Sequence, residues 1–214
     1  MRSLFFLFAL LLASSGFAQV GVTGFYNFNS SRAVGNDVNP NTDNALPYDN
    51  GPEIAVNYWF RLPKQRIEFQ PTVYYAQESQ NPGWREAGFQ FKTNVYLFDL
   101  GTDCDCPTFG KQGPQIEKGF FVQLSPGVAR HWVQSPLDTA PGATSLTVGG
   151  GIGVDFGISN LLTLTPIASV RHTLTNYIGA DFVDVDGAAL DARAELTTFQ
   201  LGLQATFRFD KKRY

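Results

Sequence analysis

Residues 197–209 read TTFQLGLQATFRF, and alternate positions separate cleanly. Phe199, Leu201, Leu203, Ala205, Phe207 and Phe209 form one set; Thr198, Gln200, Gly202, Gln204, Thr206 and Arg208 form the other. Successive side chains of a strand leave opposite faces, so this segment has one apolar face and one wet face. Which face points outward decides between a soluble cup and a barrel in lipid.

The same period of two runs through most of the chain. It predicts strands over Val20–Asn29, Glu53–Leu62, Arg66–Gln77, Glu86–Leu100, Gly119–Val133, Ser145–Ile158, Leu161–Thr173 and Leu196–Phe209. Pro63-Lys64-Gln65 and Ser159-Asn160 are tight connections, whereas Ser30–Pro52, Thr139–Thr144 and Leu174–Glu195 are longer and rich in Asn, Asp, Pro and Gly. Gathering long loops at one end suits a membrane barrel, whose two rims face different compartments.

The second strand sets Ile54, Val56, Tyr58, Phe60 and Leu62 against Glu53, Asn57, Trp59 and Arg61. The third sets Ile67, Phe69, Val73 and Tyr75 against Glu68, Gln70, Thr72 and Tyr74, and the fourth sets Phe89, Phe91, Val95 and Leu97 against Glu86, Gln90, Lys92 and Asn94. The sixth sets Val148, Ile152, Val154 and Phe156 against Thr147, Gly149, Gly151, Gly153 and Asp155. An eight-stranded barrel holds only a few layers of side chains, too few for all the large apolar ones. The charged fraction of 16% is also low for a soluble surface, which carries about 25–35%. Both arguments turn the apolar set outward and leave small and polar residues in the bore. The expected fold is an all-β, eight-stranded, antiparallel, up-and-down transmembrane barrel. Tyr58, Phe60, Tyr75, Trp132 and Phe209 are expected in its interfacial belts.

The inward set balances its charge. Glu53, Glu68, Glu86 and Asp155 oppose Arg61, Lys92, Arg171 and Arg208, and unpaired buried charge costs several kcal/mol. The expectation is a lumen closed by ion pairs and hydrogen bonds, with porin activity disfavoured. Pro71, Pro126 and Pro166 fall at similar depth in three strands. Proline has no N–H for the ladder, so bulges or kinks are expected there.

Arg2, the apolar run Leu4–Leu12 and the small residues Gly16 and Ala18 read as a secretory signal peptide over residues 1–18, cleaved before Gln19. The barrel domain then covers 19–214. The net charge of −3 and the lack of basic clusters argue against nucleic acid. Cys104-Asp105-Cys106 lies in a connection at the end that carries the termini. A strained local disulfide, a metal site and a free or intermolecular thiol pair compete there; the oxidised pair is favoured and no metal is assigned. Asp181, Asp184, Asp186 and Asp191 read as a solvated acidic outer loop, with cation bridging to lipopolysaccharide as the functional alternative. Asp184-x-Asp186-Gly187 matches only the end of an EF-type calcium loop, because Phe182 takes the first ligand position. His131 falls on the polar face, where it is expected to hydrogen-bond or face water.

On these strands, their x-Pro-x-apolar pattern and the terminal aromatic alternation, the chain resembles the small Gram-negative outer-membrane barrels of the OmpX and OmpA-transmembrane type. It is similar in particular to the outer-membrane β-barrel domain proteins of Bacteroidota. Gln200, Gly202, Phe207 and Phe209 resemble the C-terminal signal read by the barrel assembly machinery, although the chain continues through Asp210 to Tyr214. The resemblance implies an outer-membrane location, with both termini periplasmic. A lipid A deacylase barrel would need a serine two residues from His172 on the lipid face, and that position is Leu174. The expectation is therefore a monomeric structural or interaction protein, neither an enzyme nor dependent on a cofactor. It would act through its outer loops or the Cys104–Cys106 loop, with lipopolysaccharide and a periplasmic protein as partners. An outer-leaflet lipid-modifying enzyme and a narrow channel are the alternatives.

Overall fold

The computed structural model describes residues 19–38, 46, 48–61, 66–78, 83–98, 119–134, 142–159, 161–178 and 188–208. Among them lie eight strands: β1 Gln19–Gly35, β2 Gly51–Arg61, β3 Ile67–Gln77, β4 Gly83–Phe98, β5 in two pieces (Phe120–Leu124 and Gly127–Gln134), β6 in two pieces (Ala143–Val154 and Phe156–Gly157), β7 Leu162–Thr173 and β8 Ala192–Arg208. Each strand pairs antiparallel with the next, and β8 returns to β1. The ladder therefore closes and leaves no edge among the described strands, the arrangement that satisfies backbone groups in a medium that cannot.

The register fixes the tilt. Cross-strand neighbours run from Gly21 through Asn57, Thr72, Gln90, Gly127, Thr147 and Thr173. Thr173 then hydrogen-bonds the backbone of Leu196, which faces Ser31 on β1. One circuit climbs from residue 21 to residue 31 of the same strand, and such a shear requires strongly inclined strands.

Alternation holds around the ring. Val73 and Leu203 are 62% and 51% exposed, while Thr72 and Asn94 are 0% exposed. The expected outward and inward sets of β2, β3, β4, β6 and β8 are the observed ones wherever the side chains are described. The bore is nevertheless not filled by small and polar residues alone. Phe25, Trp59, Tyr74, Trp84, Tyr96 and Phe121 are buried in it. It accepts them because glycines face three of these rings across the ladder: Phe25↔Gly202, Tyr74↔Gly88 and Phe121↔Gly153.

Two expectations about the strands are corrected. β1 and β8 run on to Gly35 and back to Ala192 as a protruding pair, well beyond the predicted Asn29 and Leu196. Their apolar alternation lapses there because the pair rises above the outward apolar belt. The prolines produce no bulge. Around Pro71 on the β2 side, Pro126 on the β4 side and Pro166 on the β6 side, pairing lapses for two residues and resumes in the same register. Outward-pointing proline loses one donor without inserting a residue, and the Pro126 carbonyl still accepts the Phe91 N–H at 2.9 Å. The register shift in the ladder falls instead between Tyr96 and Phe98.

Candidate functional site

The bore is the place where charged and hydrogen-bonding side chains converge, and it has three levels. Nearest the termini, the Tyr96 hydroxyl lies 2.8 Å from both Glu68 Oε2 and Asp155 Oδ2. Trp59 Nε1 also donates to Glu68, and Thr165 Oγ1 donates to Asp155. Lys92 is buried just above, its ammonium 4.9 Å from the Phe25 ring centroid.

The middle level crosses the bore. Arg171 on β7 reaches Glu53 on β2 at 2.9 Å and Glu86 on β4 at 3.0 Å, and its guanidinium stacks 4.2 Å from the Tyr74 ring centroid. Asn27 and Gln200 donate to Glu53, each at 3.0 Å. Tyr74 and Tyr48 donate to Glu86 at 2.6 and 2.8 Å. His131 Nδ1 lies 3.6 Å from Glu86, and its Nε2 is 2.7 Å from Ser145 Oγ. A doubly bridged arginine with hydrogen-bonded carboxylates is the form in which buried charge is tolerated.

The third level caps the bore at the loop-bearing end. Tyr48, Trp84, Tyr177, Ala194 and Leu196 pack as one buried cluster, joined by Leu46 and Ile178. The rings of Tyr48, Trp84 and Tyr177 lie 4.8–5.7 Å apart by centroid. Tyr48 and Tyr177 come from the long loops. Burial, reinforced by the adjacent Glu86 carboxylate, pushes the Tyr48 phenol well above its ordinary value. Burial pushes the Tyr177 phenol up to about 12. Both therefore stay protonated, and Tyr48 remains a donor to Glu86.

Of the expected lumen residues, Glu53, Glu86 and Arg171 meet directly, Glu68 and Asp155 share Tyr96, and Lys92 lies between these levels. Arg61 and Arg208 end their strands, and their side chains lie outside the described residues. So do Cys104, Cys106, Phe209, residues 1–18 and the acidic segment 181–187. Gln200 belongs to the Glu53 network, Gly202 faces Phe25, and Phe207 is exposed on the outer face. Among the described residues no group of three metal-ligating side chains occurs. Tyr48, Tyr96, Trp84 and Tyr177 were not legible as site residues. Tyr96 and Trp84 do share parity with Glu86 and Lys92, and that signal places them in the bore.

A closed ladder, an outward apolar band and a bore lined by buried polar side chains define a transmembrane β-barrel of the bacterial outer-membrane class. No protein-family model matches the chain, and no curated protein matches it. Among solved structures, the chain is similar to Neisserial surface protein A at 11% identity, over 89% of this chain and 96% of that one, with a TM-score of 0.49. AlkL, solved in DMPC bilayers, is 12% identical over 92% of each chain, with a TM-score of 0.49. Ail of Yersinia pestis is 12% identical over 89% of this chain and 99% of that one, with a TM-score of 0.44.

Proposed function

We propose that this outer-membrane barrel is a non-conducting scaffold that works by presenting surfaces. Those surfaces are its outer loops and the periplasmic connection that contains Cys104 and Cys106. The observation that carries the proposal is the Glu53–Arg171–Glu86 bridge, which ties β2, β4 and β7 together across the bore. An aromatic cap lies above it. A solute would have to break buried ion pairs to pass, and removing one partner of such a pair costs about 3–5 kcal/mol. Single-channel recording in planar bilayers tests this: the intact protein should give no conductance, and R171Q should leak. Steady conductance by the intact protein would sink the scaffold reading. Affinity capture from detergent-extracted membranes, with the 101–118 connection intact or deleted, tests the periplasmic surface. A partner lost on deletion supports it, and unchanged recovery removes it.

One observation favours a second reading, an enzyme acting on outer-leaflet lipid. The His172 ring on β7 has Nδ1 2.9 Å from Thr197 Oγ1 on β8, on the lipid-facing side near the loop-bearing rim. An imidazole beside a hydroxyl is the core of nucleophilic acyl transfer. Unaltered lipid A acylation on mass spectrometry, with H172A compared to the intact protein, would remove this reading.

A further inference from the structure

Glu86, His131 and Ser145 enter the bore from the neighbouring strands β4, β5 and β6, and all three are buried. Glu86 lies directly across the ladder from His131. Ser145 faces Ala129, two residues before His131 on the same face. The two ends of the imidazole differ. Nε2 is 2.7 Å from Ser145 Oγ, whereas Nδ1 stands 3.6 Å from Glu86 Oε2 and has no hydrogen bond among the described residues. That carboxylate oxygen already carries the Tyr48 hydroxyl at 2.8 Å, while Tyr74 and Arg171 hold Oε1. Tyr48 therefore occupies the oxygen nearest the imidazole. The rings of Tyr48 and Tyr177 lie 6.3 and 5.6 Å from the His131 ring by centroid, and both tyrosines belong to the cap. Trp84 Nε1, in the same cap, is buried without a partner among the described residues. A network kept for stability alone would satisfy such groups. This one leaves a ring N–H position and an indole donor unused beside a hydroxyl.

We infer that Ser145, His131 and Glu86 form a capped nucleophilic site that hydrolyses a neutral, short-chain ester entering from the loop-bearing end. A serine within hydrogen-bond reach of an imidazole that a third group orients is the arrangement that activates a hydroxyl. Displacing Tyr48 frees Glu86 Oε2 to accept the Nδ1 proton, which leaves Nε2 as the base. Ser145 Oγ then attacks the ester carbonyl, and its proton passes to Nε2 and on to the departing alkoxide as the C–O bond breaks. Water, deprotonated by the same nitrogen, cleaves the acyl-serine to a carboxylic acid and returns the proton to Oγ. Trp84 Nε1 is a donor for the carbonyl oxygen as it becomes negative. The acyl group must be short and apolar, because the room for it is what the rings of Tyr48 and Tyr177 vacate beside Leu196 and Ile178. The site is separate from the His172–Thr197 pair, which stands on the lipid-facing side, and it adds a chemical activity to the scaffold reading without requiring a through-channel.

The test is reaction of the folded barrel in neutral detergent with a small alkyl fluorophosphonate, the adduct being located by peptide mass spectrometry, alongside release of p-nitrophenolate from p-nitrophenyl butyrate. The intact protein should be labelled at Ser145 and should turn over the ester. S145A should do neither. H131Q should slow both by about a hundred-fold or more, the scale of a lost general base. Y48F keeps the capping ring but gives up its hydrogen bond to Glu86, so it should react about tenfold faster, the scale of one hydrogen bond to a charged group. Acceleration by Y48F distinguishes a held-back catalyst from a structural contact, which the same change could only weaken. No adduct in either the intact protein or Y48F, an adduct at another residue, or equal labelling of H131Q overturns the site. Labelling of Y48F no faster than that of the intact protein overturns the part given to the cap. Folding of each variant is read from its heat-dependent electrophoretic mobility, and mapping the adduct on the intact protein decides the matter even where a variant does not fold. Conductance of the intact barrel would sink the scaffold reading and leave this site standing.

Discussion

Phe25 on β1 lies directly across the ladder from Gly202 on β8, and its ring occupies the space a side chain at 202 would need. A Cβ at Gly202 would come within 2.2 Å of Phe25 Cδ1 and 2.6 Å of the Gly24 carbonyl oxygen. The same arrangement pairs Tyr74 with Gly88 and Phe121 with Gly153. Laying an aromatic ring over a cross-strand glycine covers backbone that would otherwise be bare and fills a narrow bore. G202A is expected to destabilise the folded barrel by about 1–3 kcal/mol through overpacking. G24A, on the outward face with nothing within 4 Å of its Cβ, should be close to neutral. Urea-induced unfolding in detergent, without assembly factors, separates this packing effect from any role of Gly202 in an assembly signal.

The Arg171 bridge should behave as one unit. R171Q leaves the Glu53 and Glu86 carboxylates buried without their cation, an expected loss of about 3–5 kcal/mol. E86Q should also destabilise. The double variant E86Q/R171Q should be less unstable than the two losses added together, because members of one network couple. A double-mutant cycle from unfolding midpoints checks this, and strict additivity would dissolve the network into independent contacts.

The capping tyrosines set an alkaline limit. Their folded-state values lie above the ordinary value of about 10, so the neutral phenol is the form that folding favours. The stability they contribute is fully present below pH 10. It is lost as pH rises past the ordinary value towards and through the raised one, about 12 for Tyr177. A spectrophotometric tyrosine titration of the folded protein should show a late step that Y177F reduces, while unfolding midpoints decline above pH 10. If every tyrosine titrates near 10 in the folded barrel, the cap is open to water.

How far the structure was legible follows from what each feature depends on. Parity is local: Glu53, Asn57 and Trp59 could be turned inward from their own strand alone. Pairing is not local. That Arg171 meets Glu53 and Glu86 depends on a register accumulated over the whole circuit, which no single segment encodes. The glycine–aromatic pairs were hidden for the same reason, since nothing around Gly202 names Phe25. Tyr48 and Tyr177 come from loops without a period, and only their packing against Trp84 gives them a place. At the prolines the loss of one N–H left a bulge or a kink open; the ladder inserts no residue, skipping two positions and keeping count.

The outward face provides the most direct test of the membrane assignment. Leu203 is the middle residue of the outward row Phe199, Leu201, Leu203, Ala205 and Phe207, and it is 51% exposed. If that row meets hydrocarbon, L203R places a charge near the midplane, at a cost of about 2–4 kcal/mol. F207R, at the end of the row, should cost only about 0–1 kcal/mol for its charge, because the headgroups lie within reach there. The fraction folded in lipid vesicles across a urea series gives both values. A surface in water would tolerate arginine at either position equally. A steep penalty at 203 with a shallow one at 207 is therefore the signature of depth in a bilayer, and equal tolerance at both would return the apolar row to some other use.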